Sequence, residues 1–253
     1  MRLHPNPLVT LFALWFSIWA VVLFLVLYPL MFVFLEREKT YRQAHLVRKI
    51  WLDSLLRIGF MRVETQIAPG FDSKAVYVIT PNHTSRLDII CLVARLPLFF
   101  SFLAMDEFKK VPLYGKWFRT LDLGVNRKNP IQAAKSYLQS KKVIESGRSL
   151  VMFPEATISK IVPQLSAFKD GPFRLAIEMQ VPVLPISFID NYKLLPDQGV
   201  FEIRPGKVYQ IVHQPIETKG MSLKDVEKLK QQVFATIQNK LIEFESIANT
   251  SNA

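Results

Sequence analysis

The sequence predicts an α/β fold: a mixed sheet flanked by helices, carried on an N-terminal helical membrane module. Three observations lead there. Residues 3–35 contain no Lys, Arg, Asp or Glu, so the chain opens on a long apolar segment. From residue 63 onward short β-rich runs alternate with helical stretches, the pattern of layered α/β packing. Hydrophobic residues make up 50% of the 253 and charged residues 21%, which excludes a disordered or collagen-like chain. A single cysteine, Cys91, excludes an internal disulfide scaffold. The expected organisation is a membrane anchor with a basic interfacial helix over 1–62, then one cytoplasmic domain over 63–253.

The apolar core, residues 8–35, would make roughly 42 Å of helix at about 1.5 Å per residue. A bilayer core is about 30 Å thick, so the segment is long enough to span it with tilt or with a bend at Pro29. Trp15, Trp19 and Tyr28 suit the headgroup layer. A cleaved signal peptide fits poorly, because the run is too long and no small-x-small site precedes Glu36. A helical hairpin broken near Pro29 is the other reading. Arg2 precedes the segment, whereas Arg37, Lys39, Arg42, Arg48, Lys49, Arg57 and Arg62 follow it. The positive-inside rule then places the larger part on the cytoplasmic side of a cell membrane. Residues 41–62 read as a helix with Val47, Trp51, Leu55 and Ile58 on one side and Arg48, Lys49 and Arg57 elsewhere. It either lies on anionic headgroups or docks on the domain core.

Strands are expected at 63–67, 75–80, 149–153 and 182–189, with a hairpin of 200–204 and 207–212 turned by Pro205-Gly206. Helices are expected at 87–96, 130–146, 171–179 and 222–247. Ser222 caps the last, and Leu223, Val226, Leu229, Val233 and Ile237 form its apolar stripe.

The formal charge of +11 calls for an anionic partner. Nucleic acid would explain the charge but not the apolar segment, and no nucleic-acid motif is present. Phosphate-binding glycine loops, a nucleophile elbow and a zinc-protease motif are also missing. His4, His45 and His213 have no metal-ligand partner at a recognisable spacing, and Cys91 sits in an apolar run.

What remains is a polar cluster, Thr80-Pro81-Asn82-His83-Thr84-Ser85-Arg86-Leu87-Asp88, after a buried strand and before an apolar helix. Five steps along one helix would separate His83 and Asp88 by about 140°. They meet only if His83 lies in the loop and Asp88 in the first helical turn, which Ser85 as N-cap would give. A carboxylate on one ring nitrogen fixes the tautomer and leaves the other free to take a hydroxyl proton. Ser85-x-x-Asp88 is equally a capping-box pattern. A second cluster, Phe153-Pro154-Glu155-Ala156-Thr157, also follows a strand, and Arg127 and Lys128 follow a third.

In order, these clusters resemble the glycerolipid acyltransferase family typified by 1-acylglycerol-3-phosphate O-acyltransferase. Asn82-His83-Thr84-Ser85-Arg86-Leu87-Asp88 matches its Asn-His-x-Ser-x-x-Asp block in full. Gly124 to Arg127, Phe153 to Ser159, and residues 181–187 are similar to its later blocks, and Phe168-Lys169-Asp170-Gly171 to its Phe-Lys-x-Gly. The resemblance implies His83 as general base with Asp88, and direct acyl transfer from acyl-CoA or acyl carrier protein without cofactor, metal or acyl-enzyme. It implies Asn82, Ser85, Arg127, Glu155, Thr157 and Lys169 as substrate-binding residues, lysophosphatidate as the lysophospholipid acceptor, and phosphatidate as product. The chain departs from the family at Ala156, where glycine is usual, and at Ile158 and Met105, where cations are. Those two changes leave another lysolipid, such as a lyso-aminolipid, as the alternative acceptor. A silent lipid-binding protein would be expected to lack His83 or Asp88.

Overall fold

The structure, a computed structural model, describes residues 2–3, 6–126, 128–197 and 200–251. After a two-residue strand β1 (Arg2–Leu3), the Asn6 side chain accepts from the Leu8 N–H at 2.9 Å and opens α1 (Pro7–Phe34). Pro7 fills the first turn, where its missing N–H costs nothing. The helix runs on through Pro29, so the break considered there does not occur. A single 3₁₀ turn leads into α2 (Tyr41–Ile58), and α1 and α2 form the hairpin instead. Ala13 and Phe16 share a core with Leu52, Leu55 and Leu56, while Met31 and Leu35 share one with Tyr41, Ala44 and Val47. Gly59 permits this approach, since a Cβ there would sit 2.8 Å from the Phe16 ring.

The elements that follow are β2 (Met61–Ile67), β3 (Val78–Pro81), α3 (Leu87–Arg95), β4 (Phe100–Met105), α4 (Gly115–Arg119), β5 (Leu123–Val125) and α5 (Pro130–Glu145). The rest are β6 (Ser149–Val151), α6 (Gly171–Met179), β7 (Val183–Ile189), α7 (Asn191–Leu194), β8 (Val200–Phe201), β9 (Gly206–Val212) and α8 (Val226–Ser251). A seven-stranded sheet has the order β2-β9-β7-β3-β6-β4-β5. Five strands, from β7 to β5, are parallel; β9 runs against β7, and β2 runs with β9. The sheet is therefore mixed. Its central strands are buried on both faces, as β7 shows: Leu184, Ile186 and Phe188 join the core under α1, α2 and α3, whereas Val183 and Ile189 join the one under α5, α6 and α8.

Two expectations are corrected. Residues 200–204 form no hairpin with 207–212, because β2 and β7 occupy both edges of β9; β8 pairs in parallel with β1. Arg48, assigned off the apolar side of α2, is buried and bonds Asp122 at 2.7 Å. Helix α2 thus docks on the domain core through Tyr41, Ala44, His45, Val47, Arg48, Leu52, Leu55 and Leu56. At the far end, Ser222 and Asp225 form a capping box ahead of α8, and Leu229, Val233 and Ile237 are fully buried.

Candidate active site

Parallel strands deliver their carboxyl ends to one side of a sheet, and loops there carry side chains that the strands hold rigid. His83 follows β3, the segment 153–159 follows β6, Met105 ends β4, and Asn126 follows β5. The segments around His83, Glu155 and Asn126 therefore share one edge with Met105, whereas residues 181–187 run into buried β7 from its amino end.

His83 sits in the loop and Asp88 in the first turn of α3, so the two meet: His83 Nδ1 lies 3.0 Å from Asp88 Oδ2. Asp88 is 0% exposed, and donors surround it. Oδ2 also accepts from the Thr84 N–H at 2.6 Å and the Ser85 N–H at 2.9 Å. Oδ1 accepts from Asn191 Nδ2 at 2.7 Å and from the Thr84 hydroxyl at 3.3 Å. A carboxylate that only accepts fixes the imidazole with its proton on Nδ1, leaving Nε2 as the acceptor. The ring lies against Phe153, centroids 3.9 Å apart and 24° from parallel, which sets its tilt.

The capping reading is displaced by one residue: α3 begins at Leu87, Arg86 holds the cap position without a side-chain cap bond, and Ser85 lies one residue ahead of it. Ser85 Oγ accepts from the Leu87 N–H at 3.0 Å while Asp88 accepts from the Ser85 N–H. One carboxylate closes the turn ahead of the helix and orients the histidine.

The His83 backbone is clamped by the loop after β6. Glu155 Oε1 accepts from the His83 N–H at 2.7 Å, and Ser159 N–H donates to the His83 carbonyl at 2.8 Å. Glu155 Oε2 accepts from the Ser166 N–H at 2.8 Å. Burial raises the Glu155 pKa, the backbone donors of His83 and Ser166 partly opposing it. Asn82 is equally committed: its amide donates to the Phe188 carbonyl at 3.0 Å and accepts from the Phe188 N–H at 2.7 Å. Ser85 Oγ donates to the Leu195 carbonyl at 2.6 Å. Among the residues expected to bind substrate, Asn82, Ser85 and Glu155 are buried with their polar atoms taken. Thr157 and Lys169 are exposed, Ile158 is half-buried and Met105 is exposed. Arg127 lies outside the described residues, as does His4.

Ala156 has φ of 67°, in the left-handed region where a glycine is free of strain. The loop turns there, which is the physical content of the glycine seen in the family. Asn191 and Phe188 complete the site but carried no local signal, being 103 and 106 positions from Asp88 and Asn82, and Ser166 joins them through Glu155, 11 positions away. Among the described residues no three His, Cys, Asp or Glu side chains are grouped to hold a metal ion.

A carboxylate–histidine pair thus lies at the carboxyl edge of a mixed sheet, clamped by a Phe-Pro-Glu loop. A family model described as Acyltransferase matches residues 62–189, and the chain belongs to that family. It is 29% identical over 202 residues to a chloroplastic 1-acyl-sn-glycerol-3-phosphate acyltransferase of Arabidopsis thaliana, covering 78% of this chain and 54% of that one. A 1-acyl-sn-glycerol-3-phosphate acyltransferase of Chlamydomonas reinhardtii is 28% identical over 249 residues, 94% of this chain and 74% of that one. The chain thus spans little more than half the length of the plant relative. It shares the fold of the crystal structure of the 1-acyl-sn-glycerophosphate acyltransferase PlsC from Thermotoga maritima, with a TM-score of 0.78, 24% identity and coverage of 93% and 95%.

Proposed function

We propose that the chain is a 1-acylglycerol-3-phosphate O-acyltransferase, moving a fatty acyl group from a thioester to the free sn-2 hydroxyl and giving phosphatidate for phospholipid synthesis. The observation that carries this reading is the His83–Asp88 pair, with Asp88 fully buried among donors. His83 Nε2 takes the hydroxyl proton as the alkoxide attacks the thioester carbonyl, and Asp88 stabilises the imidazolium. The tetrahedral species collapses, the C–S bond breaks, and the imidazolium returns the proton to the departing thiolate. No acyl-enzyme and no metal are called on. The donor is acyl-CoA or acyl carrier protein.

The geometry sorts the supporting residues. Asn82, Ser85 and Glu155 act as positioning residues: they hold the loops that aim His83, and their polar atoms are occupied. Thr157 and Lys169, exposed beside that loop, are the groups left to bind the acceptor, with Arg127 and Lys128 after β5.

Helix α1 fits attachment to a bilayer. Leu8, Leu11, Ile18, Val21, Leu25, Val26, Leu30 and Val33 are exposed along it, an apolar face far larger than a soluble surface carries. Its other side lies along α2, which is itself docked on the domain. A span standing upright would draw α2 into the hydrocarbon, with Arg42 and Arg57 exposed on it. Insertion along the membrane plane keeps those cations at the headgroups and brings the His83 edge within reach of lipid substrates. The larger part of the chain lies on the cytoplasmic side, following the basic residues after α1.

A second reading keeps the chemistry and changes the acceptor to a lyso-aminolipid. Ile158 and Met105 favour it, since each removes a charge-assisted contact worth about 1.5–3 kcal/mol to a phosphate. Purified protein offered labelled acyl-CoA and acyl carrier protein, with lysophosphatidate and a lyso-aminolipid together, decides. Label in phosphatidate supports the first reading, and label only in the other acceptor supports the second.

A further inference from the structure

At the amino-terminal ends of β5 and β6, the opposite edge of the sheet from His83, lies a cavity of about 520 Å³. It opens between α4, α5 and the turn joining α1 to α2, and its lining includes Glu38, Lys109, Arg119, Asp122, Lys142 and Arg148. Several of these charges are already spent. Asp122 bonds Arg48 at 2.7 Å, and Lys109 bonds Asp106 at 2.6 Å. Arg148 is different. It is 8% exposed, its Nε has no hydrogen-bond partner, and its guanidinium lies over the rings of Tyr41 and Phe99 at 5.4 and 5.9 Å. A buried guanidinium presents five donors and is costly unless an anion meets it. Burial weighs against its charge more than Glu38, Tyr41 and Asp122 support it.

We propose that this cavity is an anion-binding site, separate from the acyl-transfer site, which takes a phosphate group on Arg148 with Arg119 and Lys142 at its mouth. The planar fork of a guanidinium matches two phosphate oxygens, and neither Arg119 nor Lys142 makes a salt bridge among the described residues. The exposed Glu38 carboxylate supports the Arg148 charge without a salt bridge among the described residues, so a phosphate competes with it for the guanidinium. The phosphate comes either from solution or from an anionic lipid headgroup, since the turn at Glu38 is the end of apolar helix α1. The inference does not depend on acyl transfer.

The test uses the full chain in phosphatidylcholine nanodiscs, titrated with inorganic phosphate against chloride at constant ionic strength. At about ten times its Kd, phosphate raises the folded-to-unfolded ratio roughly eleven-fold and the unfolding midpoint by on the order of 3 °C. Arg148→Met abolishes that rise and, without phosphate, unfolds no lower than wild type because an unpaired buried charge is gone. Lys142→Gln shifts the titration to higher phosphate by a few-fold. If a headgroup is the natural source, discs containing phosphatidylglycerol raise the wild-type midpoint in phosphate-free buffer but leave Arg148→Met unchanged. The site is refuted if neither anion acts through Arg148, or if Arg148→Met lowers the phosphate-free midpoint, which would make the guanidinium a structural part of the Tyr41–Phe99 packing.

Discussion

Asp88→Asn removes one charge and keeps the shape, so it isolates what the carboxylate contributes. In the structure Oδ2 serves His83, Thr84 and Ser85, and an amide oxygen placed there keeps all three contacts. The new NH₂ then faces Asn191 Nδ2, which bonds Oδ1 at 2.7 Å, donor against donor. Asn191 Oδ1 has no partner, so rotating its amide removes the clash. The stability loss therefore stays near the low end of the range for an unsatisfied buried group, about 1 kcal/mol. Activity suffers more. The imidazolium loses a charge-assisted bond worth about 1.5–3 kcal/mol, or roughly 10–150-fold in kcat/KM. Because Asp88 is fully buried, the loss falls on kcat and leaves KM for the acceptor nearly unchanged. Initial rates of labelled product across acceptor concentrations, with a thermal melt of the same samples, check both parts. A folded variant within threefold of wild type, or one impaired only in KM, would refute the assignment of Asp88.

Three further outcomes follow from the geometry. Ala156→Gly relieves a left-handed residue, so the unfolding midpoint rises by an amount corresponding to about 1 kcal/mol, measured by thermal melt. Arg48→Met leaves Asp122 buried without its partner and destabilises by about 3–5 kcal/mol, while adding Asp122→Asn recovers much of the loss in the same denaturation experiment. Burial holds His213 at about 4, against 6.5 when unfolded, so the unfolded chain takes the proton first and stability falls as pH drops from about 6.5 to about 4. Replacing His213 by Gln reduces the slope of that part of the stability–pH curve, buried His45 supplying the rest, as urea midpoints at stepped pH values would record.

Local information settled the elements it could reach. Helix α6 lies where its period placed it, residues 171–179, and β7 was visible as an apolar run that follows Pro182 and carries Pro185. The dyad was legible because its two members lie five positions apart and a single cap decides whether they meet. Features set by distant chain were not. A turn-bounded pair of β runs reads as a hairpin until β2 and β7 are seen on both edges of β9. β4 lay hidden in an apolar run continuous with the end of α3, and only pairing with β6 and β5 marks it as a strand. Arg48 reads as a surface cation because Asp122, which neutralises it, lies 74 residues away. Glu155 and Asn82 were expected to bind substrate, but sequence could not tell that their polar atoms face backbone.

The central claim is that His83 removes the acceptor's proton and that no acyl group rests on the protein. It is tested most directly by His83→Ala, assayed for label transfer to lysophosphatidate after its fold and membrane binding are matched to wild type. With this mechanism turnover disappears while the melt and the bound fraction are unchanged. Transfer retained above a few per cent of wild type would contradict it.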